Sequence, residues 1–242
     1  MKAILATLVC FIFLTGHSAD QRVRAEVGDV RVVFESKRQW TPARIDFRGR
    51  PMTTERSAYG TVFSFPGVGF IGTAHLENEP EELQSTNWLM DGRKVAAAET
   101  LKGAEDVRFQ RKSKIRSFET RSEWLLRNGR LYETVDVHAT GETPLKLVYH
   151  FMHAWRPTVS GFLAGMDGQA DILSGSLRDT KEVARRFYIE ERVDWMAVYE
   201  PESGQFAVSR ILEVPKEGGA RSRIWNVPGT YRQYHLMCLE PV

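Results

Sequence analysis

The chain has 242 residues, 42% of them apolar, with 33 basic against 31 acidic side chains and a net charge of +2. That is enough apolar material for one large core or two small ones, and so even a charge balance exerts no global pull on nucleic acid or a membrane surface. The two cysteines, Cys10 and Cys238, exclude a disulfide-rich scaffold.

Residues 1–19 carry Lys2, an apolar run from Ala3 to about Thr15, and then small residues. This is the layout of a secretory signal peptide, too short to span a bilayer, with cleavage expected after Ala19 or, alternatively, after Ala25. Its removal takes Lys2 alone among the charged residues, leaving 32 basic against 31 acidic. Cys238 is then most simply a small buried apolar group. No second hydrophobic segment follows, so residues 20–242 are expected as one exported domain, periplasmic or extracellular, with no integral membrane segment.

From residue 22 onward the pattern is of strands separated by turns. VGDVRVVFES and ARIDFRGRPMT alternate and are rich in Val, Ile and Phe, and Gly60, Gly67, Gly69 and Gly72 punctuate the extended pieces that follow. Residues 78–103 contain good helix formers but no sustained apolar stripe, which predicts a long loop with one or two short turns. Two alternating runs come next, then the Asn128-Gly129 turn, then RLYETVDVHAT and LKLVYHFMHAW as a pair of longer strands. Further strands are expected at 159–165, 184–190, 194–200, 204–214 and 230–240. A dozen or more strands with almost no helix predict one large antiparallel β-sandwich of two sheets.

Three groups of residues could carry chemistry. His75 and Glu77, two apart, would share a strand face and could divide acid and base roles. Glu133 falls in the apolar row Leu131, Val135, Val137, where a carboxylate needs a partner or acquires a raised pKa. In LKLVYHFMHAW, alternation predicts Leu145, Leu147, Tyr149, Phe151 and His153 on the core face and His150 on the opposite, ligand-facing side. The H-x-x-H spacing on a strand splays the two rings apart, so no metal site is expected from it. Each of these has an ordinary structural explanation too: a strand running into an acidic loop, a strand edge reaching water, a satisfied histidine.

Six tryptophans are many for this length. Most would fill the core, while Trp88, read as a loop residue, and Trp155, at a strand end, are expected to be exposed as platforms for sugar rings beside Tyr149. The basic stretch 108–130 could attract an anionic polymer or form a solvated face offset by acidic neighbours, and interleaved Ser and Glu argue against a nucleic-acid groove. There is no GxSxG elbow, P-loop, dinucleotide fingerprint or paired CxxC, so no cofactor is called for.

The phrases GFIGTAHLENEPEELQSTNWLMDG and YHFMHAWRPTVSGFLAGMDG resemble segments of exported proteins with the galactose-mutarotase-like supersandwich fold. That resemblance implies a concave sheet face holding a saccharide or polysaccharide, neutral or anionic, with His75, Glu133 and His150 as the acid/base groups. Trp88, Tyr149, Trp155 and Arg156 would be the substrate-binding groups. Epimerase-like or lyase-like proton transfer would follow, with Arg156 or Arg116 neutralising charge in the lyase case. A non-catalytic glycan-binding or envelope-associated module is the alternative.

Overall fold

The computed structural model describes residues 20–55, 60–72, 75, 77–177, 187–213 and 220–238. The proposed signal peptide and the side chain of Cys238 lie outside the described residues. Twenty strands and one short 3-10 turn at Ser36–Arg38 make up the regular structure among them.

The strands divide into four small sheets. The first contains β1 (Arg22–Val27), β2 (Val30–Glu35), β3 (Thr41–Phe47), β4 (Arg50–Pro51) and the short β9 (Thr100–Leu101), in the order β4-β3-β2-β1-β9. The second contains β7 (Glu82–Met90), β8 (Arg93–Val95), β10 (Asp106–Ile115), β11 (Phe118–Arg127) and β12 (Arg130–Ala139), in the order β12-β11-β10-β7-β8. The third contains β5 (Val62–Phe65), β6 (Gly69–Gly72), β13 (Leu147–Trp155), β16 (Phe187–Glu191), β19 (Ala220–Val227) and β20 (Tyr231–Cys238), in the order β16-β19-β20-β13-β5-β6. The fourth contains β14 (Gly161–Gly165), β15 (Ile172–Ser176), β17 (Trp195–Glu200) and β18 (Gln205–Arg210), in the order β15-β14-β17-β18. All pairings are antiparallel except β1 with β9.

Local chemistry explains the longest strands. β11 alternates buried and less buried residues along its whole length, and Asn128 and Gly129, both at positive φ, close the hairpin to β12 in the two-residue turn that suits strand twist.

Packing links the four sheets in a ring. Val23, Val32 and Phe34 of the first sheet meet Trp88, Phe109 and Trp124 of the second. Ile115 and Phe118 of the second meet Phe63, Phe65 and Val148 of the third. Trp155, Ile224 and Tyr234 of the third meet Phe162, Met196 and Val198 of the fourth. Gln205 of the fourth donates a hydrogen bond to the carbonyl of Phe47 in the first, which closes the circuit. The molecule is therefore all-β with almost no helix, but its sheets are four blades in a propeller-like arrangement. The two-sheet β-sandwich expected from the patterning is corrected on this point: alternation fixes which residues face inward, not how many sheets the strands are shared among.

Two further expectations change. The segment 78–103 forms β7, β8 and β9 rather than a loop, because β7 gains its partner from β10, outside the local window. Trp88 and Trp155, expected to be exposed, are 3% and 5% exposed, and the Trp88 ring stacks 4.1 Å from that of Phe109. In the basic stretch, Arg111 is buried against Glu81, while Arg116 and Arg127 pair with Glu79 and Asp106, so these three cations are offset locally.

Candidate functional site

The third sheet has two sides with different chemistry, and one irregularity in β13 decides which histidine lies on which. His150 pairs with Leu236 and His153 with Tyr234, so β13 carries one more residue than β20 between those two pairs. Phe151 sits at φ 55°, a left-handed conformation that costs a bulky residue on the order of 1–3 kcal/mol. This bulge cancels the alternation, and His150 and His153 point to the same side. The expected row of Leu147, Tyr149, Phe151 and His153 is thereby broken, and Val148, His150, His153 and Trp155 face inward instead.

On the inward side, His153 Nε2 lies 2.8 Å from Glu133 Oε1 on β12, with both side chains largely buried. Burial opposes the charge on His153, but the Glu133 carboxylate and its hydrogen bond outweigh burial and raise the imidazole above its ordinary value. His150 Nδ1 hydrogen-bonds Thr61 Oγ1 at 3.1 Å, and burial pushes the His150 imidazole down to about 4. Two of the residues singled out for catalysis, Glu133 and His150, therefore sit at the seam between the second and third sheets, where their polar groups meet protein partners. Sequence alternation places His150 toward the ligand; the bulge turns it into the interior.

The outward side gathers a different set. Gln233, His235 and Met237 alternate on β20, and their neighbours in register are Trp225, Arg223 and Arg221 on β19, with Tyr149 opposite Met237 on β13. His235 has no exposed surface, and neither of its ring nitrogens has a hydrogen-bond partner. Gln233 is buried as well, and its side-chain nitrogen also lacks a partner. An unsatisfied buried polar group costs about 1–3 kcal/mol, so a native site that retains several of them calls for an explanation. Burial, reinforced by the charge of Arg223, pushes the His235 imidazole down to about 3, so the ring is neutral at physiological pH and offers one donor and one acceptor.

Aromatic rings extend this side. The Tyr149 ring lies 4.6 Å from His235, Phe70 stacks 5.6 Å from Tyr149, and His75 stacks 5.6 Å from Phe70. Gly72 makes the approach of His75 feasible: at φ 127° any Cβ would come within 2.6 Å of the Thr61 carbonyl, and the turn brings the His75 N–H to the Gly72 carbonyl at 2.7 Å. His75 Nδ1 contacts Glu77 Oε1, and Arg223 is bonded to Glu190. Burial raises the Tyr149 phenol despite the nearby Arg223 charge, so it too is uncharged at neutral pH. Trp225, in register with Gln233, is 37% exposed.

His75 and Tyr149 of the expected set thus meet on the outward side, Glu133 and His150 lie on the inward side, and Trp88 and Trp155 are core. Arg156 lines a cleft with Arg44 and Glu55. His235, Arg223 and Gln233 were missed by reading the sequence, although alternation in TYRQYHLM already places Gln233 and His235 on one face. Among the described residues no three His, Cys, Asp or Glu side chains converge as a metal site, and Arg223 beside His235 disfavours a cation there. Nor is any helix among them long and apolar enough to cross a membrane. No family model matches the chain, and comparison with curated proteins finds no match.

Proposed function

We propose that the protein acts on a saccharide held on the outward side of the third sheet, by proton transfer through His235 and Tyr149. The observation that carries this reading is the fully buried His235 ring with two unpartnered nitrogens beside Tyr149. A sugar is a dense array of hydroxyls that both give and accept hydrogen bonds, which supplies partners for a neutral imidazole and an acceptor for the unpartnered Gln233 Nε2. Its C–H faces suit the rings of Tyr149 and Trp225. In an epimerase-like step, His235 takes the proton of the anomeric hydroxyl while the Tyr149 hydroxyl gives its proton to the ring oxygen. The ring carbon–oxygen bond breaks, and reclosure on the other face returns both protons. Export through the N-terminal segment belongs to the same reading, since glycans are abundant outside the cell.

A lyase-like second reading is favoured by Arg223, whose guanidinium adjoins His235 and could hold a uronate carboxylate as charge develops beside it. One experiment separates the readings. The full chain is incubated with reducing sugars and uronate polymers while anomeric proton exchange is followed by NMR and unsaturated ends by ultraviolet absorbance. Anomeric exchange abolished by His235→Ala supports the epimerase-like step, and an absorbance rise abolished by it supports the lyase. Binding without either makes the protein a glycan-binding module. No binding to any saccharide overturns the proposal.

A further inference from the structure

A strand that ends a sheet leaves one row of its amide and carbonyl groups without a strand beside it, which makes it a place to gain a partner. Among the described residues eight strands hold that position: β4 and β9, β12 and β8, β16 and β6, β15 and β18. Six of them are blunted in the ways that proteins use against edge pairing. β4 and β9 have two residues each, and β8 has three, with Arg93 and Lys94 among them. β12 carries Arg130, Glu133 and Asp136, β16 shifts register and ends in Glu190 and Glu191, and β6 has four residues with a glycine at each end. β15 and β18, both in the fourth sheet, have no proline, no break in register and no charge except Arg210 at the end of β18.

Backbone geometry determines which residues of β18 face the open edge. Ile211 donates to the Asp194 carbonyl at 2.8 Å, so Ile211, Ser209, Ala207 and Gln205 are the residues bonded to β17. Phe206, Val208 and Arg210 therefore turn both N–H and C=O to the free side, and among the described residues no backbone group meets them there. Their side chains also point away from the interior, into which the intervening Ala207 packs. Phe206 is 57% exposed and Val208 69%, and the Phe206 ring is held 4.7 Å from that of Tyr199. β15 is the poorer edge: Leu177 donates to the Ser160 carbonyl, which leaves Ile172, Ser174 and Ser176 facing its free side, with one apolar side chain among them.

Charge and symmetry decide which strand fits β18. Its one charged residue, Arg210, is bonded to Asp167 of the same sheet, so two copies of the strand meet without like charges facing each other. An antiparallel pair has a two-fold axis, which lets β18 pair with itself and close. Hydrogen bonds form only in registers that set residues of the edge-facing row opposite one another. With Ala207 on the axis, Phe206 lies across from the partner's Val208 and Val208 from the partner's Phe206, two apolar cross-strand pairs of the kind that stabilise sheets. The six-residue edge is only about 20 Å long, so it buries less than the roughly 800 Å² per partner of a standard interface. The association is accordingly reversible and depends on concentration.

We infer that two copies of the protein associate through β18, joining their four-stranded fourth sheets edge to edge into one continuous sheet. Sedimentation velocity of the full chain between roughly 1 μM and 1 mM, the affinity range of a small interface, should show wild type passing from monomer to dimer. Val208→Lys should raise the dissociation constant about tenfold or more, because the two-fold axis brings each substitution into the interface twice. Val208→Pro should do the same: the N–H that proline removes points to the free edge, so β17 keeps its bonds to β18. Both variants are checked for folding by circular dichroism, and Ser174→Lys on β15 should leave the dimer intact. Hydrogen exchange on wild type needs no substitution, and the Phe206 and Val208 amides should exchange more slowly as concentration rises while those of Ile172 and Ser174 do not. A wild type that stays monomeric, a dimer that survives both Val208 substitutions, or edge amides of β18 indifferent to concentration overturns the inference. So does assembly that grows past the dimer or is lost with Ser174→Lys, since either would place β15 in the contact.

Discussion

The two sides of the third sheet solve the same problem in opposite ways. Inward, each buried imidazole meets a protein partner, His153 with Glu133 and His150 with Thr61. Outward, the equally buried His235 meets none. Burial alone therefore does not separate a satisfied histidine from an unsatisfied one; the account of its hydrogen bonds does. On the proposed function, substitutions on the inward side should weaken the fold and leave any turnover, while substitutions at His235 should remove turnover and spare or strengthen the fold.

The largest effect is expected at Glu133. Glu133→Ala strips His153 of its counter-charge in a site with little water, and removing one member of a buried pair costs about 3–5 kcal/mol. Urea unfolding should show a loss toward the lower end of that range, because His153 can escape part of the penalty by becoming neutral. A midpoint within error of wild type would mean that the pair is too hydrated to tie β12 to β13.

Acid should act on the same contrast. The folded pKa of His150 is about 4 and that of His235 about 3, both below the ordinary 6.5, so each contributes stability that is present above 6.5 and lost as pH falls toward those values. His153 has the opposite sign. Its raised pKa gives stability that is full below 6.5 and lost as pH rises through the folded value. Denaturant midpoints measured from pH 8 to pH 4 should fall at the acid end in wild type, and His150→Phe should flatten that fall; an unchanged acid slope in the variant would remove His150 from the account.

His235→Phe is the sharpest inversion. Replacing a ring with two unsatisfied nitrogens by an apolar ring of similar shape removes a desolvation penalty of about 1–3 kcal/mol. The variant should melt higher than wild type by an amount near the lower end of that range and fail to turn over any saccharide, which is the trade expected where a site is held ready for a ligand. A destabilised variant would show that His235 has a structural role.

These contrasts were only partly legible in the amino-acid order. Strand content was readable because period-two patterning is local: β10, β11 and β12 lie where alternation and the Asn128-Gly129 turn place them. The division into four sheets was not, since it depends on pairings such as β13 with β5 and β20, made across long stretches of chain. His75 and Tyr149, expected as site residues, lie on one side of the third sheet, joined through the Phe70 ring. The roles of His150 and His153 were not, because the single extra residue at the Phe151 bulge reverses the faces and nothing in FMHAW marks it: the left-handed position is held by a phenylalanine rather than a glycine. His235 could have been found by applying to β20 the alternation used for β13, where no register shift intervenes between Tyr234 and Cys238 and the partners on β19.

The smallest expected effect tests whether the inward side is as fully satisfied as it looks. Thr61 stands just before β5 and its hydroxyl reaches His150 across the edge of that strand pair. Thr61→Val keeps the volume and the β-branched shape but leaves His150 Nδ1 without its partner in a buried site. The His150 ring then resembles His235 in carrying an unpaired nitrogen, at a cost of about 1 kcal/mol. Pairing Thr61→Val with His150→Phe in a double-mutant cycle isolates the contact: the two losses should be less than additive by about that amount. Strict additivity would mean that the hydroxyl and the imidazole stabilise the seam independently. The difference between the two sides of the sheet would then rest on Glu133 and His153 alone.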